Sequence, residues 1–183
     1  MSISASHMQS PDSETPSNAG DRTALLIQDL ASSNGLVRQR SRQSLVALGT
    51  HAVPALTEAL SDQNWRLRWE AAKALTEIAD PTAADVLIAA MEDARPGVSW
   101  IASEGVIALG DRGLVPLLKA LIQKSNSAWF RMGAHHVLRA LEGRGTDSHL
   151  APVLKALGDP EPSVEVPIAA VEALDRIREE RSK

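Results

Sequence analysis

The sequence contains no cysteine and no tyrosine, and one phenylalanine and four tryptophans are its aromatic residues. The lack of cysteine excludes disulfides, thiolate chemistry and cysteine-ligated zinc or iron–sulfur sites. The chain also lacks an apolar run of the ~18 residues that a membrane-spanning helix needs, and it shows no secretory signal pattern at its start. We therefore expect no membrane association and a cytoplasmic location, with a core built mainly from Leu, Val, Ile and Ala.

The charge balance excludes another class of partner. Among 183 residues, the formal net charge is −4, and the pI is about 5.7. A protein that binds nucleic acid through phosphate contacts usually carries a basic excess. Nucleic acid is therefore not the expected partner.

A repeated spacing of apolar residues determines the expected fold. Leu67, Ala71, Leu75 and Ile78 are separated by steps that keep all four on one face of a helix, and the same steps recur 31 residues later from Val98. Each repeat carries an equivalent core position, at Leu45, Leu75, Val106, Leu138 and Leu174. Fixed periods of this length are typical of solenoids, so we predict about five helical hairpins, about ten helices and no strands.

The repeats predict the domain boundaries. Residues 1–20 are polar and without period, so we expect them to be disordered; His7-Met8 resembles the remnant of a cloning site. Residues 21–183 are expected to form one repeat domain. Its hydrophilic C-terminal sequence REERSK is expected to shield the last helix from further stacking.

The segments LRWEAAKALTEIAD, VSWIASEGVIALGD and VPLLKAL resemble HEAT repeats of the short bacterial, phycobilin-lyase-like type. That resemblance implies an all-α, right-handed α-solenoid. The family pattern is V-R-x-x-A-A-x-A-L-x-x-I-G-D, and the chain departs from it at several positions. Ser99 and Pro167 replace the arginine, Thr50 and Gly143 replace the aspartate, and Gly133 stands beside the first alanine.

The face opposite the core carries the candidate site residues. Counting about 100° per residue places Trp69, Trp100 and Met132 at equivalent positions on that face. The resemblance implies that this is the concave binding surface of the array. The predicted partner-binding residues are Trp69, Trp100, Trp129, Met132, Arg66, Lys73, Glu104, His136 and Arg139. The alternative interpretation is that the tryptophans pack in the seams between repeats.

We expect the protein to be a non-catalytic scaffold that binds a protein or peptide on this tryptophan-rich face, because exposed aromatic residues dominate binding hot spots. The alternative is a phycobilin-lyase-like or chromophore-handling protein; if the protein is an enzyme, it is expected to be lyase-like. A third, weaker hypothesis is a HEAT-like alkylpurine DNA glycosylase using Trp100, Glu104 and Arg139. No catalytic residue and no cofactor are predicted. No metal site is predicted either, because the side chains of His135 and His136 point about 100° apart on a helix.

Arginines recur at one position of the motif, at Arg38, Arg68 and Arg131. Aspartates recur in the turns, at Asp80 and Asp111. We expect the arginines to pair with these aspartates and so to set the stacking angle between repeats.

Overall fold

The computed structural model describes residues 17–143 and 147–182. These residues form ten α-helices and two short 3-10 helices, with no strand among them, which confirms the predicted all-α repeat architecture. The α-helices are α1 Ser17–Asp29, α2 Gly35–Ala47, α3 Val53–Ala59, α4 Trp65–Ile78, α5 Ala84–Ala90, α6 Pro96–Leu109, α7 Asp111–Gln123, α8 Ala128–Leu141, α9 Asp147–Leu157 and α10 Pro162–Arg181. Helix α1 begins four residues before the predicted start of order; residues 1–16 of the predicted disordered segment lie outside the described residues.

Local signals in the sequence explain where the helices begin and end. The side chains of Asn34 and Asn64 accept hydrogen bonds from backbone N–H groups in the first turns of α2 and α4, as N-cap residues do. Gly110 ends α6 with φ of 60°, and Ala79 ends α4 in the left-handed conformation with φ of 51°. An alanine in that conformation is strained, because its Cβ approaches the following carbonyl oxygen.

The core runs through all the repeats. Leu45, Leu75, Val106 and Leu138, four of the five equivalent positions, have no solvent-accessible surface and belong to one continuous cluster of buried residues, whereas the fifth, Leu174, is partly buried and packs against that cluster. The prediction of one shared core is therefore confirmed. Because the core positions are equivalent in successive repeats, the differences between repeats fall on the seams and outer faces of the helices.

The helices pack in two layers until the last hairpin. Helices α2, α4, α6 and α8 pack on one another in succession, while α1 packs on α3 and α5 packs on α7. The last hairpin departs from this order, because α9 packs on α8 and α10 packs on α7 and α9. The equivalence expected between α10 and the earlier motif helices therefore does not extend to its packing.

The outer face of α10 also differs from the expectation of a polar end. Val164, Ile168 and Val171 lie on this face and are exposed, although the last turn is hydrophilic. A solenoid end usually carries a polar outer face.

Within residues 17–143 and 147–182, every helix is too short or too polar to span a bilayer.

Candidate functional site

A groove with a volume of about 210 Å³ lies between α6 and α8. Its walls are apolar and aromatic, with an imidazole at one edge. Three of its apolar side chains face solvent to an unusual degree: Trp100 is 55% exposed, Trp129 43% and Met132 60%. The groove is lined by Met91, Pro96, Ser99, Trp100, Ser103, Trp129, Met132, Gly133 and His136.

The groove exists because the α6–α8 seam has small residues at the positions where the α2–α4 seam has long side chains. Between α2 and α4, Arg38 and Arg42 both pair with Glu70, which is 3% exposed. These long side chains close the space between the two helices. At the α6–α8 seam the equivalent positions hold Ser99, Ser103 and Gly133. Loss of side-chain volume at three equivalent positions therefore opens the groove without changing the core spacing.

The small residues also make the groove wall apolar. Ser99 donates a hydrogen bond to the carbonyl of Pro96, and Ser103 donates to the carbonyl of Ser99. Both hydroxyls are thus satisfied by their own helix. A Cβ on Gly133 would lie 3.0 Å from Cε of Met91 and 3.3 Å from Oγ of Ser103. Glycine at this position therefore keeps the floor of the groove open.

Three of the predicted site residues form a contact cluster at the edge of the groove. The Trp100 and His136 rings stack with their centroids 4.5 Å apart. Nε2 of His136 lies 2.8 Å from Oε1 of Glu104, and both side chains are partly exposed. The sequence placed these residues on one face, and the structure brings them into contact although 32 residues separate Glu104 from His136. The cluster offers a flat aromatic surface beside a carboxylate.

Four other predicted site residues lie outside the lining of the groove. Trp69 is partly buried and packs against the core, with Nζ of Lys73 4.3 Å from its ring centre. Arg66 lies over the ring of Trp65, with Cζ 4.9 Å from the ring centre. Arg139 is exposed and pairs with Glu142, the residue that follows the end of its own helix. Trp69 therefore does not share one groove with Trp100, Trp129 and Met132. Its packing against the core is that expected of a tryptophan in a seam between repeats.

Sequence reasoning missed two residues beside this face, Trp65 and Arg95. Cζ of Arg95 lies 5.5 Å from the centre of the Trp65 ring, on which Arg66 also packs. Arg95 immediately precedes Pro96, which lines the groove. Trp65 begins α4 and Arg95 is the N-cap residue of α6, so both lie before the first core position of their motif, and the apolar periodicity gave no signal for them. Their contact joins the start of α4 to the start of α6.

The recurring arginines stabilise the array, but not through the predicted aspartates. Nε and Nη2 of Arg68 bind the two carboxylate oxygens of Asp93 at 2.6 and 2.9 Å, and Arg38 binds Glu70. Arg131 donates a hydrogen bond to the carbonyl of Ser125. The predicted pairing with Asp80 and Asp111 is therefore wrong.

The Arg68–Asp93 pair shifts the pKa of both groups. Burial alone would raise the pKa of the Asp93 carboxyl, but hydrogen bonds from the Arg68 guanidinium and the Arg95 backbone outweigh it, so the pKa is lowered. The hydrogen bond with Asp93 raises the pKa of Arg68 despite a smaller opposing effect of burial. Asp80 instead binds Thr82, and that hydrogen bond lowers the pKa of the exposed Asp80 carboxyl.

The same face shows no metal centre in the part of the chain that the structure describes, because no three His, Asp or Glu side chains converge there. The Glu104–His136 pair alone supplies too few ligands for a structural metal site. The chemistry available in the groove is aromatic stacking, apolar contact and hydrogen bonding at its edge.

Comparisons with known proteins found similarity over the first half of the chain. A family model described as HEAT repeats matches residues 23–106. The bilin biosynthesis protein RpcF of Synechococcus sp. (strain WH8020) is 34% identical over 86 residues, which are 46% of this chain and 41% of RpcF. The matched region thus spans about two fifths of that relative's length.

A solved structure extends the similarity to most of the chain. One chain of the complex of CpcE and CpcF of phycocyanin lyase from Nostoc sp. PCC7120 matches with a TM-score of 0.56 and 26% identity. The match covers 85% of this chain and 99% of that chain. The chain is an all-α helical-repeat protein; residues 23–106 are similar to HEAT repeats, and most of the chain is similar to one chain of this phycocyanin lyase complex.

Proposed function

We propose that the protein is a bilin-handling, lyase-like subunit that holds part of a linear tetrapyrrole in the α6–α8 groove. The observation that carries the proposal is this aromatic groove, on a chain that matches a phycocyanin lyase chain over 85% of its length. The bilin-handling function is therefore favoured over the protein-binding scaffold.

The chemistry of the groove suits a flat conjugated ligand. Trp100 and Trp129 are partly exposed aromatic surfaces, and stacking on an exposed aromatic side chain contributes about 1–3 kcal/mol per ring in nucleic-acid complexes. The groove volume of about 210 Å³ is suited to one or two pyrrole rings rather than to a whole bilin. The Glu104 carboxylate can accept a hydrogen bond from a ring N–H.

The chain contains no cysteine, so it cannot hold a bilin through a thioether of its own. Binding by this chain would therefore be non-covalent and reversible, which suits a protein that receives a chromophore and presents it to another protein. Because the similar Nostoc chain comes from a complex of two proteins, we include a second protein subunit in the proposal. We place the protein in the bacterial cytoplasm.

A bilin titration tests this function. Biliverdin added to the purified protein should change its visible absorbance and quench tryptophan fluorescence, and the Trp100→Ala variant should bind at least tenfold more weakly. Ile168→Ala is a control at another exposed apolar residue, because Ile168 is 53% exposed on α10 and does not line the groove. No spectral change with the wild-type protein would contradict the bilin function. Unchanged binding by Trp100→Ala would instead contradict the assigned position of the bilin.

The second candidate function is the scaffold expected from the sequence, with a protein or peptide bound on the same face. Its support is the exposure of Trp100, Trp129 and Met132, because adjacent exposed apolar side chains often mark protein interfaces. A peptide scaffold would bind no bilin, and Trp100→Ala would weaken the association with its protein partner. The biliverdin titration therefore separates the two functions.

A further inference from the structure

We infer that Trp65, Arg66 and Arg95 form a carboxylate-binding site next to the groove, which makes the preferred ligand a conjugated molecule with an acidic side chain. This inference rests on the proposed bilin function and deepens it. A bilin propionate has the required chemistry. The three residues are called the arginine–tryptophan site below.

The geometry places two cations on one aromatic ring. Cζ of Arg66 is 4.9 Å and Cζ of Arg95 is 5.5 Å from the centre of the Trp65 ring. Each guanidinium gains a cation–π contact, and two positive charges beside one indole create a local potential that attracts an anion. A carboxylate bound beside the indole would offset this positive charge.

The protein does not supply this anion. Within residues 17–143 and 147–182, neither Arg66 nor Arg95 forms an ion pair. The carboxylate of Asp93 is close enough to Arg95 for the positive charge to favour its ionised form, but both of its oxygens are already bound by Arg68. The donors of the two guanidiniums remain available to a carboxylate, which arginine binds in a forked geometry.

The position of the site connects it to the groove. Arg95 is joined directly to Pro96, a lining residue of the groove and the first residue of α6, and Trp65 is the first residue of α4. Both arginines are exposed, so an acidic ligand reaches them from solvent. A ring stacked beside Trp100 can therefore extend a flexible acidic side chain toward Arg95 and Arg66.

The inference is tested by measuring the affinity of two ligands for each of two proteins. Biliverdin and its dimethyl ester, which lacks the propionate charges, are titrated against the wild-type protein and against R66Q/R95Q. The wild-type protein should bind the acid about three- to tenfold more tightly than the ester, because exposed ion pairs are individually weak. The double variant should bind both molecules equally and with the affinity that the wild type shows for the ester.

A matched control separates the site from overall charge. R40Q/R176Q removes the same charge at exposed positions away from the groove, and it should keep the wild-type preference for the acid. A wild-type protein that binds acid and ester equally would overturn the inference while leaving the bilin function supported. A double variant that keeps the preference would also overturn it, because the carboxylate would then bind elsewhere. Failure of the wild-type protein to bind either molecule would overturn both proposals.

Discussion

Filling the α6–α8 groove with the side chains that close the α2–α4 seam should weaken bilin binding about thirtyfold and leave the fold intact. The variant S99R/S103R/G133E transfers the arrangement of Arg38, Arg42 and Glu70 to the equivalent positions of the later seam. In the earlier seam these three side chains form ion pairs. The ion-pair arrangement that the variant introduces at the α6–α8 seam is therefore one that the protein already accommodates at the α2–α4 seam.

The expected magnitudes follow from the two seams. Loss of one stacked ring from the groove should cost about 2 kcal/mol, the middle of the range for stacking on an exposed aromatic residue. This corresponds to about thirtyfold in Kd. The effect on folding should stay within about 1.5 kcal/mol, because a buried ion-pair network is close to neutral in stability and replacement of a helical glycine gains up to about 1 kcal/mol.

The local geometry provides a graded series and a control. Gly133→Ala places one methyl group 3.0 Å from Cε of Met91, the flexible end of a side chain, so we expect a few-fold loss of binding. Ser99→Ala keeps the groove open and should bind as the wild type does. Bilin titrations and denaturant melts on the series measure both quantities. A folded triple variant that binds bilin with wild-type affinity would refute the assignment of the groove.

Four further outcomes are expected. Leu75→Ala should lower the free energy of unfolding by about 2–5 kcal/mol in denaturant melts, because Leu75 is fully buried and its loss leaves a cavity. Ala79→Gly should raise the free energy of unfolding by about 0.5–1 kcal/mol, since glycine adopts its positive φ without strain; an unchanged melt would contradict this. Trp69→Ala should destabilise the protein more than Trp100→Ala, which should cost less than about 1.5 kcal/mol, because Trp69 packs on the core and Trp100 is exposed; equal losses would contradict the division of the face. The pKa of Asp93 is lower in the folded protein than in the unfolded chain. The ionised Asp93 carboxylate therefore stabilises the fold above its unfolded pKa of about 3.9, and this stabilisation is lost as the pH falls through the folded pKa. Asp93→Asn should therefore show a smaller loss of stability on acidification below about pH 4 than the wild type, as measured by urea melts across that range.

The fold was predictable because its determinants are local and repeated. Each helix carries the same spacing of apolar residues, and that spacing specifies one buried face whatever lies next to it. Leu45 and Leu138 are therefore buried as expected, although 93 residues separate them. The packing of α10 was not predictable in this way, because it depends on how the last hairpin turns. The 36-residue step from Leu138 to Leu174 and Pro167 at the arginine position were the available signals.

The ion pairs and the arginine–tryptophan site depend on the register between neighbouring hairpins. Arg68 reaches Asp93, 25 residues away, rather than an aspartate at the end of its own motif. Trp65 meets Arg95 because two helix ends lie side by side. The period of the core specifies which helix faces touch, but it does not specify which charged residue of a loop meets a given arginine. That register is set by how the neighbouring hairpins pack.

The candidate site depends on residues other than those that determine the fold. The core positions set the stacking of the hairpins, and the groove arises from side chains outside the core. A change of volume at a core position would strain the packing with the neighbouring repeats, whereas shortening side chains at one seam opens space there. Ser99 and Gly133 are departures from the repeat motif, and both line the groove. The equivalent positions of the α2–α4 seam carry the side chains that fill it. In this array, regular positions therefore predict the structure, and irregular positions outside the core indicate where a ligand has room to bind.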